Sequence, residues 1–513
     1  MNSFTKAAVL AGLALSALPF GADAQDDILR ISTPFPLTQI DPPSSAYLYY
    51  AFGAAELLMR FEPDGQVVPW VLQDLQNVDE TTWRLTLRQG VTFQNGERLT
   101  ADKLARLLAY LLETSAVPRS YFPSSARFAV TGENEVTFTS DDPFPLLPGL
   151  LSDRFVFPVF DLDAYLEAGG PDASVADLMG LGLLTAPYAI ESLDNQRMVL
   201  TRFEDHWLGT PPLAGINVEF IRDANASMLA IQGGELDIAA FAPVALKPLT
   251  DATPGVHFRP GEGGTFYRIY QATMNVHAEP FDEPAVRRAL MSAIDYAEIA
   301  EEVFDGVYET ATSFYLPLHP WAVENQRTDI AAAEALLDEA GWLPGADGMR
   351  SREGEPLRID AYYDAGSTDL APLSAALQDQ LRKVGIAFTA VPVEDPYGSA
   401  DVMDWDLALI AQATSPVPET FITRHMTSAG DRNLADYDNS EIASLVEELS
   451  RTIDEARRNA ILARVQDIVI EEDPYIFSLV YFQPPAIVND RYADYQPGFD
   501  TRMIDATTAP SAE

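Results

Sequence analysis

The side chains that do chemistry are thinly spread in this chain. Its five histidines, His206, His257, His277, His319 and His425, stand at least twenty residues apart. A metal site on one helix needs histidines three or four residues apart, so no pair here reads as one. Cysteine is absent, which removes thiolate metal sites, cysteine nucleophiles and disulfides together. No GxxxxGK[ST] phosphate loop, HExxH zinc motif, GxSxG elbow or EF-hand spacing occurs. Gly261-Glu262-Gly263-Gly264 is glycine-rich, but no helix pattern starts behind it, so it reads as a turn or hinge and not a phosphate cradle. Asp and Glu number 77, so carboxylate pairs arise by abundance and identify nothing. No catalytic residue, metal ligand or cofactor is assigned, and an enzyme is the minor alternative.

Against those 77 acids stand 33 Lys and Arg, for a net charge of −44 over 513 residues. Such a field opposes encounter with nucleic acid or an anionic lipid surface. A hydrophobic content of 47% is that of a globular chain long enough for several domains, not of an acidic disordered tail. Lysine occurs only at 6, 103, 247 and 383. An acidic, lysine-poor surface suits salty surroundings, where a short Debye length screens self-repulsion.

The N-terminus indicates the compartment. Lys6, the apolar run Ala7–Phe20 and the small-x-small site Ala22-Asp23-Ala24 form the three parts of a secretory signal over residues 1–24. No cysteine follows for lipid attachment, so the expectation is a soluble, unanchored, monomeric periplasmic protein.

The rest alternates strand-like and helix-like stretches, a mixed α/β (α+β) pattern. Ile28–Ser32 reads as a strand, and Trp83, Leu85 and Leu87 alternate with polar residues in another. Thr100 precedes a helix with Leu104, Leu107, Leu108 and Leu111 on one face. YAIESL, RMVLTRF and INVEFI are strands, and ASMLAIQGG is a helix ending on glycine. Beyond Glu283 the chain turns helical, with another helix closing at Gly341. RIDAYY, the helix LAPLSAALQDQLRKVG and IAFTAVPV make a β-α-β unit, followed by strands WDLALIAQ and YIFSLVYF with two helices between them.

Five segments, in order, carry a resemblance: AELLMRFEPDGQVVPWVLQDL, TWRLTLRQGVTFQNGERLTADKL, RFEDHWLGTPPLAGINVEFIRDANASMLAIQGGELDIA, TMNVHAEPFDEPAVRRALMSAIDYAEIAEEVFDGVYETATSFYLP and AAEALLDEAGW. With them the chain resembles the peptide/nickel class of extracytoplasmic solute-binding proteins of ABC importers, solute-binding protein family 5. The resemblance implies a periplasmic binding protein-like fold, two lobes closing on a ligand with an extra inserted domain. Domain I would comprise 25–60, 183–270 and 479–513, domain II 61–182, and domain III 271–478. Hinges are expected near Phe266–Asn275 and Phe477–Val488, and ABC permease subunits are the implied partners.

The same resemblance directs attention to the ligand. Peptide receptors of the class carry an aspartate, for the peptide's amino group, where this chain has Thr414, with Glu419 a nearby acid in the segment AQATSPVPETF. A neutral hydroxyl gives no charge-assisted contact to an ammonium. Nickel receptors of the class place a histidine at roughly the Glu419 position and aromatics at Gln412 and Pro416. Tyr121 stands near a tryptophan position, and Arg154 near an arginine that binds chelator carboxylates. The expected ligand-binding residues are Tyr49, Tyr50, Tyr121, Arg154, Tyr267, Thr414 and Glu419. The expected function is import of a peptide-like or related small solute, such as a modified peptide, an opine-like compound or an oligosaccharide, with a nickel or other metal chelate as the alternative. A sensor-coupled receptor is the third reading.

Overall fold

The computed structural model describes residues 28–261, 267–413, 417–428, 430–498 and 502–511. The signal sequence, Glu262–Gly264 of the glycine-rich stretch, and Thr414 lie outside the described residues.

The amphipathic patterns become the expected elements. In the strand Thr82–Leu87 the alternate residues Leu85 and Leu87 are buried, and Trp83 donates its indole N–H to the Phe144 carbonyl at 3.1 Å. The strand sits in a four-stranded antiparallel sheet with Leu72–Asp79, Glu135–Thr139 and Arg127–Gly132. The helix Ala101–Thr114 starts where the Thr100 side chain accepts the Lys103 N–H, and it buries Leu104, Leu107, Leu108 and Leu111. Helix Ile330–Glu339 ends before Gly341, whose φ of +83° lies in the left-handed region.

Two large sheets organise everything else. The seven-stranded sheet runs in the order Val256–Arg259, Ala486–Asn489, Ile238–Ala240, Ile28–Thr33, Gly215–Phe220, Arg197–Arg202 and Tyr188–Leu193. Ile28–Thr33 is parallel to both its neighbours, with Ile31 opposite Val218 and Ile238. The sheet therefore gathers the start, the middle and the end of the described chain. The six-stranded sheet runs Glu309–Thr310, Ile476–Phe482, Arg268–Met274, Leu407–Ala413, Arg358–Asp364 and Ala387–Val393. Its parallel pair Arg358–Asp364 and Ala387–Val393, joined through helix Leu370–Lys383, is the β-α-β unit read from the sequence.

The chain passes between these sheets after Arg259 and again between Phe482 and Ala486. Pro484 and Pro485 lack the N–H that a strand ladder needs, which ends the strand there. The expected segment Phe477–Val488 spans this second passage. The first expected segment is displaced, because Arg268–Met274 is an interior strand of the six-stranded sheet and the passage precedes it. For the same reason the boundaries expected after residues 270 and 478 fall inside strands.

Each side has its own core, one centred on Leu29, Leu85, Leu104 and Phe138, the other on Ile269, Leu290, Leu377 and Val480. In the first, the buried Glu56 carboxylate ties remote segments together. It accepts from Trp70 Nε1 at 3.0 Å, Thr185 Oγ1 at 2.8 Å and Trp207 Nε1 at 3.1 Å, and lies 3.3 Å from His206 Nε2. Glu56→Ala strands these donors in an apolar setting, so the loss should be about 3 kcal/mol or more. It should appear as a lower midpoint of chemical unfolding, and an unchanged midpoint would show that the network carries no stability.

Candidate functional site

Between the two halves lies a cavity of about 800 Å³, a volume typical of small-molecule sites. One wall comes from the front of the chain. Helix Pro42–Tyr49 follows Asp41, its first position filled by a proline that needs no N–H partner there. This prolyl start opens the helix that delivers Tyr47 to the cavity, and Tyr50 follows directly after it. Helix Ala116–Tyr121 adds Val117, Ser120 and Tyr121, and the segment after helix Leu147–Ser152 adds Asp153, Arg154 and Phe155.

The facing wall is the end of strand Leu407–Ala413, with Tyr397, the helix Pro418–Met426 and the turn Gly430–Arg432. Arg424 grips Asp431 with two parallel hydrogen bonds, Nε to Oδ1 at 2.8 Å and Nη2 to Oδ2 at 2.9 Å. That guanidinium holds the Asp431 carboxyl below the usual carboxylate range. Arg432 lies 3.9 Å from the centre of the Tyr397 ring, in cation–π contact. Gln412 bonds the Tyr397 hydroxyl from the other side.

The electrostatics of this cavity differ from those of the whole molecule. Arg154, Arg424 and Arg432 line it along with Asp153, Asp364 and Asp431, an even balance inside a protein of net charge −44. Behind Arg154 stands Arg268, whose guanidinium makes no hydrogen bond among the described residues and lies 5.9 Å from the Phe241 ring. Burial, together with the Arg154 charge, pulls the Arg268 guanidinium down to about 10. Two cations held in one field favour an anion beside them. Burial also pushes the Tyr121 hydroxyl up to about 12, so it faces the cavity as a neutral donor.

Of the residues expected at the ligand, the structure brings together Tyr50, Tyr121 and Arg154. Tyr49 is turned the other way and is fully buried beneath helix Pro42–Tyr49. Tyr267 is buried too, with its hydroxyl accepting the Leu316 N–H and its ring edge-on to Tyr481 at 5.3 Å. Glu419 is 3% exposed and paired with Arg458 of helix Glu455–Asp467. That arginine also donates to the Leu449 and Thr452 carbonyls, both at 3.1 Å, so Glu419 anchors the helix from behind and its neighbours Thr420, Thr423 and Arg424 reach the cavity. The arrays Arg424–Asp431 and Arg432–Tyr397 carried no sequence motif, since the fold alone brings Tyr397 to the turn at 430–432.

His425 belongs to the same helix, not to a loop. Its ring stacks on Phe421 at 3.9 Å, Nδ1 lies 3.0 Å from the Phe421 carbonyl, and Nε2 is buried without a hydrogen-bond partner. Burial drives its pKa from 6.5 down to about 3. Between those values the unfolded chain binds a proton that the folded chain does not, so stability falls as the pH is lowered through that window. At pH 5 the loss is about 2 kcal/mol. His425→Asn, which keeps a donor for the Phe421 carbonyl, should show a shallower loss of urea stability from pH 7 to pH 5; equal slopes would assign the acid sensitivity elsewhere.

A sequence profile described as "Bacterial extracellular solute-binding proteins, family 5 Middle" matches residues 66–433. Among curated proteins, the nickel-binding protein NikA of Staphylococcus aureus is 25% identical over 438 residues, covering 84% of each chain. The probable D,D-dipeptide-binding periplasmic protein DdpA of Escherichia coli is 22% identical over 78% of this chain and 76% of its own. Among solved structures, NikA of Brucella suis in complex with Fe(III)-EDTA shares the fold with a TM-score of 0.83 at 20% identity, over 95% of this chain and all of that one.

Proposed function

The chain belongs to the bacterial extracellular solute-binding proteins of family 5, and from that premise we propose that it encloses an acidic, peptide-like or related small solute between its lobes and presents it to the permease of an ABC importer. It is a receptor, not an enzyme, and it works outside the cytoplasm. Export through the signal at residues 1–24 into a periplasm, as an unanchored monomer, is the finer form of the same reading. No helix among the described residues is long and apolar enough to cross a membrane.

The observation that carries the acidic solute is Arg154 in the cavity wall, within the electrostatic reach of a second buried cation, Arg268, that does not itself line the cavity. Arg154 lines the wall, and Arg268 behind it is short of hydrogen-bond acceptors. A carboxylate seated at Arg154 relieves the repulsion between them and gains charge-assisted hydrogen bonds. Closing the lobes on the solute then presents one surface of the molecule to the permease, which converts binding into a transport signal. The lobes as proposed are the parts built around the two large sheets, with the four-stranded sheet as the inserted unit.

A metal chelate is the second reading, in keeping with the nickel-binding relatives. The geometry favours recognition through the acidic arms of a chelator, because His425, the histidine lining the cavity among the described residues, has its Nε2 sealed in the wall. A panel of free peptides, blocked peptides, chelates such as a Ni(II)–histidine complex, and sugars separates the readings by thermal shift and calorimetry. Saturable stabilisation by acidic members without turnover is expected, and appearance of a reaction product would overturn the receptor reading. Arg154→Ala should weaken the acidic binders by about 1.5–3 kcal/mol. Unchanged affinity would remove Arg154 from the site.

A further inference from the structure

Beside the main chamber lies a second cavity of about 360 Å³. Tyr47, Ala116, Val117, Arg154 and Phe155 line both and so form the neck between them. The chemistry of the annex is its own. Pro42, Pro43, Pro118, Pro158 and Pro171 contribute to its wall, and a proline has no backbone N–H. The prolines present ring carbons and no backbone donor, while Asp41, Ser44, Thr114 and Ser115 add polar groups to the same lining. Tyr110 and Tyr165 meet edge to face at 6.4 Å, and the Tyr165 hydroxyl donates to Asp41 at 2.7 Å, so that donor is already in use. At the neck, Phe155 and Val117 leave 42% and 39% of their surface exposed. The Arg154 guanidinium lies there too, 4.8 Å from the Phe155 ring centre. Apolar surface left open inside a binding cleft is surface that a ligand covers with gain.

We propose that the annex is a second subsite, which takes an apolar or aromatic arm of the solute while an acidic group of the same molecule sits at Arg154. The ligand is then an elongated amphiphile that threads the neck between Phe155 and Val117, such as an acylated or aryl-capped amino acid or peptide. This rests on the reading of the main chamber as a site for acidic solutes.

The test is a calorimetric series of N-acetyl-, N-hexanoyl- and N-decanoyl-aspartate. The full chain should bind the decanoyl member at least about tenfold more tightly than the acetyl member, from the apolar surface covered in the annex. Thr114→Trp and Pro171→Trp place bulk in the annex from exposed positions that do not line the main chamber. In each variant, shown to be folded by an unaltered unfolding midpoint, the decanoyl-to-acetyl ratio should fall close to one. A flat series in the native chain, or a rise that survives both variants, overturns the annex and leaves the acidic-solute reading standing. Failure of every member to bind, the acetyl reference included, overturns the acidic-solute reading and the annex with it.

Discussion

Where the chain passes between its two large sheets it does so twice, and the two passages lie against each other. Gly261, on the first, approaches Gln483, on the second, so closely that a Cβ there would stand 2.8 Å from the Gln483 carbonyl oxygen. Real side chains do not fit at that distance, and glycine is the residue that permits the approach. Pro484 and Pro485 follow at once and break the ladder on the second passage. The two sides, each with its own core, thus come together where Gly261 and Gln483 meet. A junction of that kind confines relative motion to a few backbone angles and leaves the opposing faces as the walls of a cleft. The cavity lies between the two sides so joined.

The lobes also reach into each other. Val244 follows a strand of the seven-stranded sheet and yet packs in the core of the six-stranded side, while Val417, beyond the last residue of strand Leu407–Ala413, packs in the opposite core. On the surface Lys247, one of only four lysines, bridges to Asp305 at 3.2 Å. The apolar exchanges favour the closed arrangement by removing area from water, whereas the exposed ion pair contributes little. Contact between the two sides near the junction therefore rests on shape and apolar packing more than on the exposed ion pair. In a molecule of net charge −44, a cleft balanced between arginines and carboxylates stands out for an anion against its surroundings.

Much of the architecture was legible residue by residue. The alternation around Leu85 and Leu87, the stripe Leu104–Leu111, the stop at Gly341 and the β-α-β unit around helix Leu370–Lys383 each express a period of two or 3.6 over enough residues to be unambiguous. The lining of the candidate cavity was legible in part. Tyr50, Tyr121 and Arg154 reach the cavity, but Tyr49, one position away from Tyr50, faces a core because successive helical residues point about 100° apart. Glu419 illustrates the other failure. A lone acid beside prolines gives no sign that an arginine 39 residues later will bury it, since the pairing depends on two helices that meet only in the folded state.

By itself, the sequence determined the class of protein: the periodic patterns set the elements, and the ordered segments pointed to the family whose profile matches residues 66–433. These are properties of local spacing and composition, which survive without knowledge of what touches what. Only the tertiary structure decided which arginines and tyrosines share a cavity, that Arg154 borders two cavities, and that Arg424 and Arg432 join Asp431 and Tyr397 on the facing wall. The reason is physical. The two walls come from segments hundreds of residues apart, Tyr50 and Arg154 on one and Arg424 and Arg432 on the other, and a side chain's direction there is set by the packing of the whole fold, not by its neighbours in the chain.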